Sequence, residues 1–274
     1  VRLAHLNGSP AAPERLAVLL AGNYGHFTSM LVRDGRVRGL GAHLDRLAHG
    51  NRVLFGTDLD VEVVRDYLRR AVTAAGARTG AVTARVAVLG DPAGGSTEVL
   101  VTVRPPSAAP ATAVRLRSVR HERTLPEVKH VGTFDLHHHA RQARLAGFDD
   151  ALFVTAHGRV SETSIRNIGF LDSDTGDTGG TGGGSAAIVW PEAPALAGVT
   201  QRLLTEALAR LGVATRTRPV PLADVTSMRG AFVCNAGGPV VPVTGIDDMA
   251  FSTDTTGAMS MLAQAYDSTP YEPV

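Results

Sequence analysis

Cysteine is all but missing from this chain: Cys234 stands alone among 274 residues. No disulfide can therefore close within the chain, which suits a reducing cytoplasm. Net charge is also missing, since 27 basic and 26 acidic residues leave only +1. That balance argues against charge-driven binding to nucleic acid or to an anionic membrane. No apolar run approaches the roughly 20 residues that span a bilayer, and the first residues show no basic-then-apolar signal pattern. A cytoplasmic protein is expected on these grounds.

Lysine is as scarce as cysteine. Lys129 is the one lysine among the 27 basic residues, leaving 26 arginines. A GC-rich coding bias would raise arginine wherever a cation alone suffices. A lysine that survives such a bias points to chemistry that guanidinium cannot do, such as losing a proton and attacking a carbonyl as a free amine. Chance survival on a solvated surface is the plainer alternative.

What is present fills two lobes more comfortably than one core. Helical spacing of apolar residues runs from His43 to Phe55 and from Val61 to Ala75, and strand patterns cover Val82 to Leu89 and Glu98 to Arg104. Pro105 to Thr112 reads as a stiff linker. The expected division is an N-terminal α/β lobe over 1–104, a linker over 105–112 and a C-terminal lobe over 113–274. In the second lobe, helices are expected at Asp135 to Ala146 and Thr200 to Leu211, with strands at Asp150 to Ala156, Ile168 to Leu171, Ala187 to Trp190, Ala231 to Asn235 and Val240 to Val243. Gly237-Gly238-Pro239 is read as the turn between the last two strands. Asp172 to Ser185 is a Gly-, Asp- and Thr-rich stretch that cannot bury a core.

The residues that carry chemistry come in a fixed order. Lys129 lies in Leu125-Pro126-Glu127-Val128-Lys129-His130-Val131-Gly132. Gly158-Arg159-Val160-Ser161-Glu162 follows, then Asn167-Ile168-Gly169-Phe170, Gly198-Val199-Thr200 ahead of a helix, and Cys234-Asn235-Ala236 with Pro239-Val240-Val241-Pro242-Val243. Upstream stand Phe27-Thr28-Ser29, Asp34-Gly35 and Ala42-His43-Leu44-Asp45-Arg46-Leu47. Each motif is weak alone, but their shared order and spacing are specific.

This run resembles the class IV family of pyridoxal 5'-phosphate (PLP) enzymes, which holds branched-chain and D-amino acid aminotransferases and aminodeoxychorismate lyases. The resemblance implies a mixed α/β (α+β) fold of two lobes, fold type IV, in a homodimer. It makes Lys129 the Schiff-base lysine and Glu162 the carboxylate paired with the pyridinium nitrogen, followed by Asn167. Gly198, Val199 and Thr200 become phosphate ligands at a helix N-terminus, where N–H groups and the helix dipole favour an anion. Thr200 as a plain N-cap would give the same pattern. Arg46 becomes the phosphate arginine, with Asn235 and Ala236 closing the other side of the cofactor site. Substrate contacts fall to Arg85, Thr28 and Gly237, although Arg85 could equally be a charge on a strand face.

The activity implied is amino transfer between an amino acid and a 2-oxo acid. A lyase that releases pyruvate is the alternative, suggested by Cys234-Asn235-Ala236 and by Phe27-Thr28; a non-catalytic PLP-binding protein is more distant. Phe134 stands where branched-chain enzymes carry a tyrosine, which weakens that assignment. His137-His138-His139 is not read as a metal site, because adjacent helical residues point about 100° apart. Cys234 is read as a buried strand residue.

Overall fold

The computed structural model describes residues 3–106, 112–172, 188–251 and 256–274. The chain folds into two compact units, each mixing helix and strand. The first holds Val1–Ala108, Glu127–Thr133 and Pro270–Val274; the second holds Ala109–Pro126 and Phe134–Thr269. Most of the expected linker, residues 107–111, lies outside the described residues, as do 173–185 of the glycine-rich stretch.

The units differ from the expected division at two places: the segment around Lys129 and the C-terminal residues belong to the first unit. For the lysine segment the reason is a vacant strand edge. Beside Gly25–Phe27, the N–H of Phe27 donates to the Lys129 carbonyl and that of Val131 to the Gly25 carbonyl, both at 2.9 Å. His26 and His130 face each other in this short antiparallel bridge. The C-terminal strand Tyr271–Pro273 joins the same unit by pairing with Arg36–Arg38.

In the first unit an antiparallel sheet runs in the order Tyr271–Pro273, Arg36–Arg38, Gly25–Arg33, Ala81–Leu89, Glu98–Arg104, Leu3–Leu6, Ser9–Pro10. Alternation sends successive side chains to opposite faces. Met30, Val32, Ala84, Val86, Val101 and Val103 share one core with Leu44, Leu47, Val64 and Leu68 from two helices. Those helices are Leu40–Phe55, one turn longer at its start than the pattern suggested, and Val61–Ala74, capped by Asp60 Oδ1 accepting from the N–H groups of Glu62 and Val63. Phe27, Ala87, Leu89 and Leu100 form a separate cluster, packed by Val131 and by Leu16 and Leu19 of the helix Pro13–Gly22.

The second unit's sheet runs Thr215–Arg218, Ile188–Pro191, Asn167–Leu171, Gly230–Asn235, Gly238–Ile246, Val114–Arg120, Asp150–Val154, Val160–Thr163. Its last strand returns to Asn167–Leu171 with Glu162 opposite Asn167, so the sheet closes on itself. Helices Val199–Arg210 and Thr256–Asp267 cover one flank through Leu204, Ala207, Leu208, Leu262 and Ala265, packed with Trp190 and Phe232. The helix Phe134–Leu145 packs Leu136 and Ala143 on Ala151 and Phe153.

One turn differs from the sequence reading. Asn235 lies opposite Gly238, so the turn is Ala236-Gly237 and the following strand already begins at Gly238. Asn235 Oδ1 accepts from the N–H groups of both Gly237 and Gly238 at 2.9 Å, which closes the loop one residue earlier.

Gly169 shows how tight this unit is. A Cβ there would lie 2.6 Å from the Phe232 ring and 2.9 Å from that of Trp190. The two rings pack edge-on at 5.4 Å, and both are buried. Gly169→Ala should therefore overpack the core and destabilise the protein by about 1–3 kcal/mol, read from urea unfolding. An unchanged midpoint would mean that the rings give way freely.

Candidate active site

The first unit assembles four of the expected residues. Lys129 is half-buried, and its Nζ lies 5.0 Å from the centre of the Phe27 ring. Arg85 stacks on the same ring, its guanidinium carbon 3.5 Å from the centre. Phe27 is thus flanked by two cations at distances where a ring quadrupole attracts them. No carboxylate among the described residues pairs with Arg85, and burial, with the charge of Arg104 adding to it, lowers its pKa from the usual guanidinium range.

Thr28, one residue on, points to the opposite face and is wholly buried at 0% exposure. Its Oγ1 lies 2.7 Å from His43 Nδ1 and accepts from Arg46 Nη2. The Thr28 hydroxyl is thus enclosed by two of the first unit's own side chains. His43 is held well below the usual imidazole range, first by burial and then by the charges of Arg46 and Lys129.

The second unit gathers the others. Glu162 is 3% exposed, and its Oε1 lies 3.5 Å from Arg123 Nε and accepts from the Leu196 N–H at 3.3 Å. Asn167, opposite Glu162 in the register, donates from Nδ2 to the Leu196 carbonyl at 2.8 Å. Both backbone polar groups of Leu196 are therefore held by neighbouring side chains. This fixes the approach to the helix Val199–Arg210, which starts two residues after Ala197. Asn167 thus supports the helix start.

That helix start has the properties of an anion site. Its N-cap is Gly198, no side chain caps it, and its first turn has no acidic residue. Thr200 lies inside the helix and is not the cap. Gly198 is required by close approach, since a Cβ there would fall 1.9 Å from Asn167 Oδ1. Asn235 spends its side chain on the turn, with Nδ2 donating to the Ile165 carbonyl at 3.2 Å, while Gly237 is exposed with its N–H taken by Asn235. Only Ala236 of that trio is left without such a role. Cys234 is wholly buried, and burial pushes its thiol up to about 12, so it is no nucleophile near neutral pH. Phe134 is 77% exposed and stacks on His138.

The amino-transferase class IV family matches residues 25–246, a span that runs from the Phe27 strand through the closed sheet. The chain belongs to this family. Class IV aminotransferases use PLP, and the residues that each unit gathers suit it by their chemistry. No curated protein sequence matches the chain.

Solved structures agree on the fold of this aminotransferase. A hypothetical aminotransferase from Mycobacterium tuberculosis in its PLP-bound form is 20% identical, with 96% of this chain and 98% of that one covered and a TM-score of 0.79. A branched-chain aminotransferase from Thermoproteus uzoniensis, solved with norvaline, is 20% identical over 96% and 93% of the two chains, TM-score 0.81. The Escherichia coli branched-chain amino acid aminotransferase is 16% identical over 97% and 93%, TM-score 0.80. Likeness at this identity establishes the fold.

Sequence reasoning passed over Arg123, which looks like any of the other arginines in the chain, and gave His43 no role. Only the partners on the folded chain separate them.

Burial beside the lysine segment has a consequence for stability. His26 is 1% exposed, and its pKa is lowered from 6.5 to about 4, mainly by burial, with His49 adding to the shift and Asn51 opposing it. The fold therefore favours neutral His26, while the unfolded chain protonates it below about 6.5. This contribution is complete above that pH and drains away as pH falls towards about 4, costing at most about 3 kcal/mol. His43 acts in the same direction. Urea unfolding between pH 7 and 4.5 should show the loss, and His26→Gln should flatten it; equal slopes for the two proteins would sink this account.

Proposed function

We propose that this chain moves an amino group between an amino acid and a 2-oxo acid with PLP as cofactor, and that Lys129 holds the cofactor covalently. The observation that carries this reading is that its one lysine lies half-buried beside Phe27 and Arg85, within a chain of the class IV family.

The donor set fits the cofactor. Lys129 is a primary amine. Arg46 and an uncapped helix start at Gly198, Val199 and Thr200 offer donors suited to a phosphate dianion. Glu162 is a buried carboxylate whose two oxygens can accept from a protonated ring nitrogen as well as from its present partners. When bound, PLP supplies the carbonyl that receives the amino group and a ring that withdraws electrons from the substrate Cα.

The chain's own residues do the rest. The Lys129 amine would hold PLP and, when free of it, would take up and return a proton at the substrate Cα as general base and acid. Glu162, kept in place by Arg123 and by the Leu196 N–H, holds positive charge at the ring nitrogen. Arg123 also stops that carboxylate from being buried alone, which is costly. Arg46 would hold the phosphate, and the Ala236 backbone would serve the cofactor as well. Arg85 orients the substrate carboxylate, since an unpaired fork suits it.

Amino transfer is favoured over a pyruvate-releasing lyase. The two features that suggested a lyase have structural work of their own: Thr28 is enclosed by His43 and Arg46, and Asn235 closes a hairpin. The lone cysteine supports a cytoplasmic location, and no helix among the described residues is long and apolar enough to cross a membrane. Family resemblance supports a homodimer and the two-lobed division.

Borohydride reduction of the PLP-loaded protein, followed by peptide mapping, should mark Lys129. An unmarked Lys129 in protein that has bound PLP would refute its role. A single amino donor should bleach the visible absorbance stoichiometrically and release one equivalent of 2-oxo acid. Steady absorbance with pyruvate accumulating would make the lyase reading correct. Glu162→Gln should still take up PLP yet lose most turnover, about 10²-fold or more; wild-type turnover would remove Glu162 from the mechanism.

A further inference from the structure

Three side chains on the helix-packed face of the first unit form a chain of hydrogen bonds ending at Arg46. Thr28 is 0% and His43 2% exposed, on a central strand and on the helix that also bears Arg46. Their polar atoms are placed to satisfy one another. Arg46 Nη2 can only donate, and it donates to Thr28 Oγ1. The Thr28 hydroxyl, with a single proton, lies 2.7 Å from His43 Nδ1. Arg46 Nη2 is itself 3.5 Å from that nitrogen.

These contacts fix the direction of the chain. A proton on Nδ1 would face the guanidinium and leave the Thr28 proton without an acceptor in a buried place, which is costly. His43 is therefore neutral, with its proton on Nε2, and accepts the Thr28 hydroxyl. Burial and the nearby cations hold it in that state. The guanidinium in turn has one of its N–H groups tied down from below, which limits its rotation. A fork held in one plane loses less entropy when it takes up a phosphate.

We propose that Thr28 and His43 are positioning residues that set the plane of Arg46, and so the hold on the cofactor phosphate. This rests on the assignment of Arg46 to that phosphate. Thr28 thus works through Arg46.

The test compares equilibrium binding of PLP with that of pyridoxal, which lacks the phosphate, by absorbance titration of the full chain. Thr28→Val and His43→Leu should weaken PLP binding about tenfold and leave pyridoxal unchanged. Thr28→Ser restores the hydroxyl and His43→Asn restores an acceptor, so both should bind PLP nearly as the parent does. Equal weakening of PLP and pyridoxal would show a merely structural role and overturn the proposal. So would parental PLP affinity in Thr28→Val while Arg46→Ala loses it. Arg46→Ala with unchanged PLP affinity would instead overturn the phosphate assignment beneath the proposal. If the valine and leucine variants fail to fold, ¹⁵N shifts of His43 in the unsubstituted protein, assigned against His43→Asn, decide the matter. An Nε2–H tautomer is expected, and an Nδ1–H tautomer would overturn the hydrogen-bond chain.

Discussion

The pairing of Lys129–Val131 with the vacant edge at Gly25–Phe27 is the constraint on which the first unit's chemistry rests. Two backbone hydrogen bonds of 2.9 Å join segments remote in sequence. They carry the lysine to Phe27 independently of any side-chain contact. The chain enters this segment through Leu125, whose φ of 52° is unusual for a branched side chain and marks a sharp change of direction. Val131 then fills the cluster around Phe27, so the same few residues serve as edge strand, core contact and site.

Strand alternation divides the labour around that edge. Phe27 turns towards Lys129 and Arg85, and Thr28 turns towards His43 and Arg46. One step along the backbone separates the side proposed for the amine and the substrate carboxylate from the side proposed for the phosphate. A register slip of one residue would exchange the two faces, and the full antiparallel pairing with Ala81–Leu89 guards against it.

In the second unit the corresponding constraint is closure of the sheet. Glu162 and Asn167 oppose each other where it closes, and they bind the N–H and the carbonyl of Leu196 respectively. Burying Glu162 and Arg123 has a desolvation cost that their mutual attraction only partly offsets. Such a pair is weak as a stability device. Its value is in holding a carboxylate in a defined place just ahead of a helix start left open to an anion.

The sequence alone determined the family and the chemistry to be expected, because ordered motifs and a single surviving lysine do not depend on contacts. It also determined most helices and strands, since Val61–Ala74 and Glu98–Arg104 carry their period openly. Tertiary structure decided the rest. The lysine segment joins the first unit through backbone bonds that any side chains would permit, so no residue pattern announces it. Arg123 and His43 acquire meaning only from partners distant in the chain or on another element. The partners of Thr28 and Asn235 are a tertiary matter for the same reason: a hydroxyl or amide can serve a ligand or a neighbour, and only the fold shows which neighbours it meets.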